Sequence, residues 1–177
     1  MKSPARPLEQ HIRDVPDFPK PGIVYKDITP LLGDAEAFRQ AVGAMAAPFR
    51  DAGITGVAGA ESRGFIFGAA IAAALGAGFI PIRKPGKLPW KREGLDYTLE
   101  YGSDRVEVHE DAAGSGDRVL LVDDLLATGG TLAASAELLS RIGASPIGIC
   151  VLIELGFLGG RARLPSDLPF HSVIRYD

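Results

Sequence analysis

Residues 119–131 read VLLVDDLLATGGT. Four aliphatic residues, Val119 to Val122, run into two adjacent aspartates, and a short neutral stretch then leads to Thr128-Gly129-Gly130-Thr131. An all-apolar run of that length predicts a strand buried on both faces. Beyond the glycines, Leu132, Ala136, Leu139 and Ile142 share one helical face, and Gly143 is a natural stop. Strand, glycine loop and helix in that order make the unit from which parallel sheets are built. The two aspartates stand at the carboxyl end of the strand, where such sheets bind their ligands.

The alternation repeats outward from this stretch. Residues 54–60 and 79–82 read as buried strands, separated by the turn Glu61-Ser62-Arg63-Gly64 and an alanine-rich helix ending near Gly76. Residues 147–153 read as a further buried strand. The fold class is therefore α/β, with a mostly parallel central sheet flanked by helices. Upstream, Asp34 is placed to cap a helix whose apolar positions are Phe38, Val42, Met45 and Phe49, and Pro48 should kink or end it. Residues 8–15 suggest a short helix. Residues 15–30 are rich in proline yet carry Val15, Phe18, Ile23, Val24 and Tyr25, which predicts an ordered loop. Residues 83–102 form a long polar segment of the kind that usually serves as a functional lid. Residues 105–109 alternate like an edge strand, and residues 170–176 read as a strand with no assignable partner.

Composition bounds the rest. The 177 residues suit one domain with a real core. A net charge of −3 gives no reason to expect nucleic-acid binding. The single cysteine, Cys150, sits in an apolar run and reads as a small buried hydrophobe, which fits a reducing compartment. Residues 64–82 carry no charge and have the length of a membrane span, but Gly76-Ala77-Gly78 and Pro81 interrupt them, and no membrane association is expected. No signal peptide is visible at the start of the sequence.

The opening stretch carries chemistry. A helix N-terminus presents unpaired backbone N–H groups and the positive end of a dipole, a ready phosphate site. Gly129 and Gly130 let the backbone approach a phosphate, while Thr128 and Thr131 add hydroxyl donors. Two carboxylates just before that cradle suit a vicinal diol, so a ribose 5′-phosphate could lie with its diol toward Asp123 and Asp124. An ordinary strand–turn–helix with a capping aspartate has the same outline. A Walker loop is excluded because no lysine follows Lys91. The Rossmann fingerprint needs its glycines after a strand, and Gly114-Ser115-Gly116 precedes one. A receiver domain would need a downstream lysine that is missing.

The stretch resembles the 5-phosphoribosyl pyrophosphate (PRPP) motif of type I phosphoribosyltransferases. Five more segments narrow the resemblance to the adenine phosphoribosyltransferases: DFPKPGIVYKDITPLL (17–32), ESRGFIFG (61–68), IRKPGKLP (82–89), YTLEYG (97–102) and IELGFLGGR (153–161). Together they cover nearly the whole chain in the family's order. Lys26 stands where many relatives have arginine, and Tyr25 where many have phenylalanine.

The resemblance implies the type I phosphoribosyltransferase fold over residues 1–177, with a base-binding hood at about 1–33 and a mobile catalytic loop at about 83–102. It implies the reaction of adenine with PRPP to give AMP and pyrophosphate. The expected cofactor is Mg²⁺, held mainly by PRPP with no direct protein ligand, and the expected setting is a cytoplasmic homodimer. Residues 127–131, with Asp123 and Asp124, would hold the ribose phosphate. Arg63, Arg83, Lys84 and Lys87 would meet pyrophosphate, Arg83 across a dimer interface. Tyr25 and Leu125 would sandwich adenine while the backbone of Val24 and Lys26 reads its edge. Glu100 would serve as acid and base, and the Glu61–Ser62 peptide is expected to be cis. Two rivals share the scaffold: a transferase for another base, and a non-catalytic PRPP-sensing regulator, which would be expected to carry a DNA-binding extension or a basic face.

Overall fold

The computed structural model describes residues 6–99 and 102–177. In chain order it contains β1 (Arg13–Pro16), β2 (Val24–Asp27), α1 (Thr29–Gly33), α2 (Ala35–Ala46), β3 (Gly56–Ala60), α3 (Arg63–Leu75) and β4 (Gly78–Ile82). These are followed by β5 (Arg92–Leu99), β6 (Gly102–His109), β7 (Arg118–Leu126), α4 (Gly130–Arg141), β8 (Ser145–Leu155) and β9 (Phe170–Tyr176). Five strands form one parallel sheet in the order β4-β3-β7-β8-β9. The C-terminal strand thus finds its partner in β8.

The apolar strands sort their side chains to two faces. On one, Val57, Leu120, Val122, Cys150 and Leu152 pack with Ala41 and Met45 of α2 and with Phe67 and Ile71 of α3. On the other, Ala58, Val119, Leu121, Ile149 and Val151 pack with Leu132, Ala136 and Leu139 of α4 and with Val106 and Val108 of β6. Both faces are covered, which is why these strands show no polar alternation. Asp34 caps α2 through the amides of Glu36 and Ala37 at 2.9 and 3.0 Å. The helix gives way to a 3-10 turn at Ala47–Phe49, which contains Pro48. Gly76, in the left-handed conformation, closes α3.

Two antiparallel ribbons stand outside the sheet, and they account for most of the departures from expectation. The short helix expected over residues 8–15 covers only Leu8–His11 and is of the 3-10 kind, and β1 follows it. Residues 15–30 are not merely a loop, because β2 pairs with β1 in the register Val15↔Tyr25 and Asp14↔Lys26. Half of the polar segment 83–102 is strand, β5, which pairs with β6 from Arg92↔His109 to Leu99↔Gly102. Residues 105–109 therefore belong to a ribbon rather than to the sheet edge. Arg83 and Glu107 exchange two backbone hydrogen bonds of 2.8 Å, tying that ribbon to the end of β4. Strand β7 also runs on to Leu126, so Asp123 and Asp124 lie within it.

Candidate active site

Asp123 and Asp124 sit where β7 passes the start of α3. A Cβ on Gly64 would meet Asp123 Oδ1 at 2.8 Å and the Val122 carbonyl at 3.1 Å, so glycine is what lets the helix begin this close to the carboxylate. The Asp124 amide donates to Asp123 Oδ1 at 2.9 Å. Asp124 is only 4 % exposed. Arg63 Nε stands 2.9 Å from its Oδ2, at ion-pair distance but outside hydrogen-bond geometry, so that buried oxygen accepts no hydrogen bond. Burial, and then the neighbouring Asp124, push the Asp123 carboxyl well above the usual range. Burial also raises Asp124, against the pull of Arg63. A buried carboxylate beside a half-buried one is poised for a ligand that donates hydrogen bonds or carries positive charge.

The cradle follows directly. Asp123, Leu125 and residues 127–131 line a small cavity of about 90 Å³. Gly129 caps α4 with φ of +82°, offering no side chain to the first-turn amides. A Cβ there would meet the Gly160 carbonyl at 2.4 Å, and one on Gly160 would meet the Ala127 carbonyl at 2.1 Å. The cradle is thus held from behind by close backbone packing that only glycine allows at both positions.

A larger cavity of about 340 Å³ adjoins it, lined by Glu61, Ser62, Arg63, Lys84, Asp123, Asp124, Leu125 and Thr131. Its carboxylates face two cationic side chains. The Glu61–Ser62 peptide is cis, as expected. Glu61 accepts two hydrogen bonds of 3.2 Å from Arg83 and one of 3.0 Å from the Lys84 amide. Those contacts, led by Arg83, hold its carboxyl below the usual range. Lys84 points to Asp104 and Tyr97, and the Tyr97 hydroxyl lies 3.0 Å from Thr131 Oγ1.

The first ribbon stands over this cavity. The Tyr25 hydroxyl accepts a hydrogen bond from Arg63, whose guanidinium also lies 5.4 Å from the Tyr25 ring centroid. Phe18 meets the same ring edge-on at 5.2 Å. Val24 is half exposed. The Lys26 side chain turns away: its Nζ is 2.6 Å from Asp14 Oδ1 and 4.0 Å above the Tyr176 ring. Any contact of Lys26 with a ligand here falls to its backbone.

Of the residues singled out from sequence, Arg63, Lys84, Asp123, Asp124, Leu125 and Thr131 share one cavity, with residues 127–130 beside it and Tyr25 joined through Arg63. Arg83 is engaged with Glu61 of its own chain and with the Lys87 carbonyl, and the Lys87 side chain is exposed. Glu100 lies outside the described residues. Sequence reasoning missed the parts played by Glu61, Tyr97, Asp104 and Gly160. One signal for Asp104 was available: it shares the phase of Val106 and Val108, so it puts a carboxylate on a buried face.

A family model described as phosphoribosyl transferase domain matches residues 32–171. An adenine phosphoribosyltransferase of Symbiobacterium thermophilum is 61 % identical over 94 % of this chain and 96 % of its own. Among solved structures, an adenine phosphoribosyltransferase from Rhodothermus marinus superposes with a TM-score of 0.91 at 52 % identity, covering 96 % of each chain. One from Giardia lamblia, complexed with 9-deazaadenine, superposes with a TM-score of 0.90 at 40 % identity, again over 96 % of each chain.

Proposed function

The chain belongs to the phosphoribosyl transferase family, among the adenine phosphoribosyltransferases, and from that premise we infer that it transfers the 5-phosphoribosyl group of PRPP to N9 of adenine, giving AMP and pyrophosphate. The observation that carries the reading within the molecule is the adjacent Asp123–Asp124 pair lying between a glycine cradle and two cationic side chains. The ribose 5′-phosphate takes the amides of residues 127–131 at the start of α4. The ribose hydroxyls donate to Asp123 and Asp124, and Asp124 Oδ2 has an acceptor position free to take one. The pyrophosphate extends toward Arg63 and Lys84, with Arg83 and Lys87 further along the same segment.

As the bond from C1 to pyrophosphate lengthens, positive charge gathers on the sugar. Carboxylates that are unfavourably placed in the empty site become favourable in that state, which is the differential binding that lowers a barrier. Adenine lies between Tyr25 and Leu125, with its edge read by the backbone of Val24 and Lys26. Fixed main-chain donors and acceptors distinguish an amino group from an oxo group, a discrimination of about 10⁴. Glu100 is the acid and base of this reading, handling the proton of the purine ring.

Magnesium enters this reading with PRPP. Of the three carboxylates lining the cavity, Glu61 is taken up by Arg83 and the Lys84 amide, and Asp123 and Asp124 are too few to cage a cation alone, so most of its ligands come from the substrate's oxygens. When bound, the ion neutralises charge on the departing pyrophosphate. The setting we propose is purine salvage in the cytoplasm, with a homodimer as the working unit, which sedimentation of the purified chain would test.

A panel of labelled bases tests the function directly. With PRPP and Mg²⁺, label should pass into a monophosphate from adenine and not from hypoxanthine, guanine, xanthine or orotate. Transfer from another base would assign a different specificity on the same scaffold. PRPP binding without any transfer would make the chain a sensor.

A further inference from the structure

The inner face of the second ribbon carries an ionised cluster among apolar residues. Tyr97 and Asp104 are directly opposite each other in the β5–β6 register, so their side chains leave the same face. Leu95, Val106 and Val108 of that ribbon pack into the core with α4. A carboxylate on such a face is costly unless it is paired and hydrogen-bonded. Asp104 is fully engaged: Oδ2 accepts from Lys84 Nζ and from the Tyr97 hydroxyl at 3.0 Å, and Oδ1 accepts from the Arg105 amide at 2.8 Å. Burial alone would raise its carboxyl, but the hydrogen bonds from Lys84, the Arg105 amide and Tyr97 outweigh it and hold it below the usual range. Lys84 is the mirror case, lowered by burial and raised on balance by Asp104 and Tyr97. The pair is charged across the neutral range.

The Tyr97 hydroxyl joins this pair to the cradle. Its one proton goes to the strongest acceptor within reach, the Asp104 carboxylate. Its oxygen is then left to accept from Thr131 Oγ1 at 3.0 Å and, more weakly, from Lys84 Nζ at 3.4 Å. Two donors on the cavity wall that would meet PRPP are thereby held on one dyad. Lys84 has a long flexible stem and would otherwise sample many rotamers. Fixing it in advance removes an entropy cost from each binding event.

We propose that Asp104 is a positioning residue, acting through Lys84 and assisted by Tyr97, that sets the Lys84 ammonium and the Thr131 hydroxyl on the cavity wall for PRPP and pyrophosphate. This rests on the reading of Lys84 and Thr131 as PRPP contacts. It assigns no contact with substrate to Asp104 itself.

The test is a double-mutant cycle on steady-state kinetics with PRPP varied and adenine saturating. Lys84→Ala should lower kcat/KM for PRPP about a hundredfold, as for loss of a charge-assisted contact. Asp104→Asn should lower it about tenfold, mainly through KM, and leave KM for adenine in place. In the Lys84→Ala background, Asp104→Asn should cost no more than the roughly threefold carried through Tyr97 and Thr131, because the ammonium it positions is gone. Asp104→Glu should recover most of the loss. Tyr97→Phe should raise KM for PRPP about threefold, with the loss vanishing in a Thr131→Ala background. If the Asp104→Asn and Lys84→Ala losses multiply, Asp104 does not act through Lys84 and the proposal falls while the site stands. If Lys84→Ala leaves PRPP kinetics unchanged, the placement of PRPP itself is wrong and the proposal falls with it.

Discussion

The carboxyl end of the parallel sheet and the two antiparallel ribbons build one cavity by different means. At the sheet end, Asp123 and Asp124 are set by a strand buried on both faces and by the close approach of α3 at Gly64, and the cradle behind them is closed by backbone contacts at Gly129 and Gly160. In the ribbons, position comes from side-chain ion pairs: Lys26 on Asp14 in the first, and Lys84, Arg92 and Arg105 on Asp104 and Glu107 in the second. Packing leaves no freedom at the sheet end, so that end can hold groups in an unfavourable electrostatic state. The ribbons have no core of their own and must satisfy their charges to stay in place. The residues proposed for phosphate and diol thus lie on the rigid part, and those proposed for the base and leaving pyrophosphate lie largely on the ribbons and the segment tied to them.

The contrast breaks most visibly at Glu107. Only 4 % exposed, it takes the Gly86 amide at 3.1 Å, Arg92 at 3.1 Å and Arg105 at 3.4 Å, and so fixes the second ribbon to the segment that carries Lys84. Glu107→Ala removes the hydrogen bonds to the Gly86 amide, Arg92 and Arg105, of which Arg105 keeps Asp96, and should cost about 3 kcal/mol. That corresponds to a fall in Tm of roughly 10 °C for a chain of this size. The effect has a pH signature. Burial alone would raise the Glu107 carboxyl, but the Gly86 amide, Arg92 and Arg105 outweigh it and hold it low. Its contribution is therefore present above the ordinary glutamate value and lost as pH falls through the depressed one. Melting curves of both proteins should converge in acid. A Tm difference that persists unchanged there would show that the ribbon is held by apolar packing after all.

The sheet end should fail in function rather than in folding. Gly160→Ala places a methyl 2.1 Å from the Ala127 carbonyl, and the cradle has to yield. A shift of about 1 Å in a phosphate site costs roughly a hundredfold in kcat/KM. The loss should appear with PRPP varied and be absent from equilibrium binding of adenine alone. An alanine variant with parental kinetics would mean that the glycine pair is a folding convenience and not part of the site.

This division also explains what could be read in the sequence. The buried strands, the αL stop at Gly76, the Asp34 cap and the whole of residues 119–131 follow from local rules: apolar runs, helical spacing, and glycine where a helix starts or stops. The cavity's sheet-borne members, Arg63, Asp123, Asp124 and Thr131, were visible for that reason. The ribbons depend on which residue faces which across the turn, and short polar strands such as Arg92–Leu99 carry little periodicity. The polar segment that holds Lys84 was visible, but not the Tyr97↔Asp104 pairing that gives Lys84 its direction. Gly160 was hidden differently, because its role is set by a backbone distant in sequence.

Asp123 sharpens the claim that the sheet end stores an unfavourable charge. Its folded carboxyl is raised by burial and by Asp124. The folded state therefore holds the proton more tightly than the unfolded chain does. Stability falls as pH climbs above the ordinary aspartate value of about 4. Asp123→Asn removes that dependence. It should raise Tm at neutral pH, with the gap closing toward pH 4. The same variant should lose most of its transferase activity. A neutral or destabilising effect at pH 7 would mean that Arg63 already compensates the pair in the empty site.

The smallest effect is expected at the first ribbon. Lys26 has its side chain 12 % exposed, clamped between Asp14 and the Tyr176 ring, so it joins β2 to the C-terminal strand of the sheet. The ion pair is half in solvent through Asp14 and counts for little. The contact with the ring face contributes more, about 1 kcal/mol. Lys26→Met keeps the apolar stem and deletes the charge, so the ribbon should loosen without unfolding. Since the backbone of Val24 and Lys26 is proposed to read adenine, KM for adenine should rise about fivefold, with KM for PRPP unmoved. Lys26→Arg preserves both the charge and the stacking, and should sit close to the parent. If Lys26→Met shifts both substrates equally, the first ribbon bears on the PRPP end of the cavity as well as on the base. If it shifts neither, the register with β1 alone positions the base-reading backbone, and Lys26 serves only to cover Tyr176.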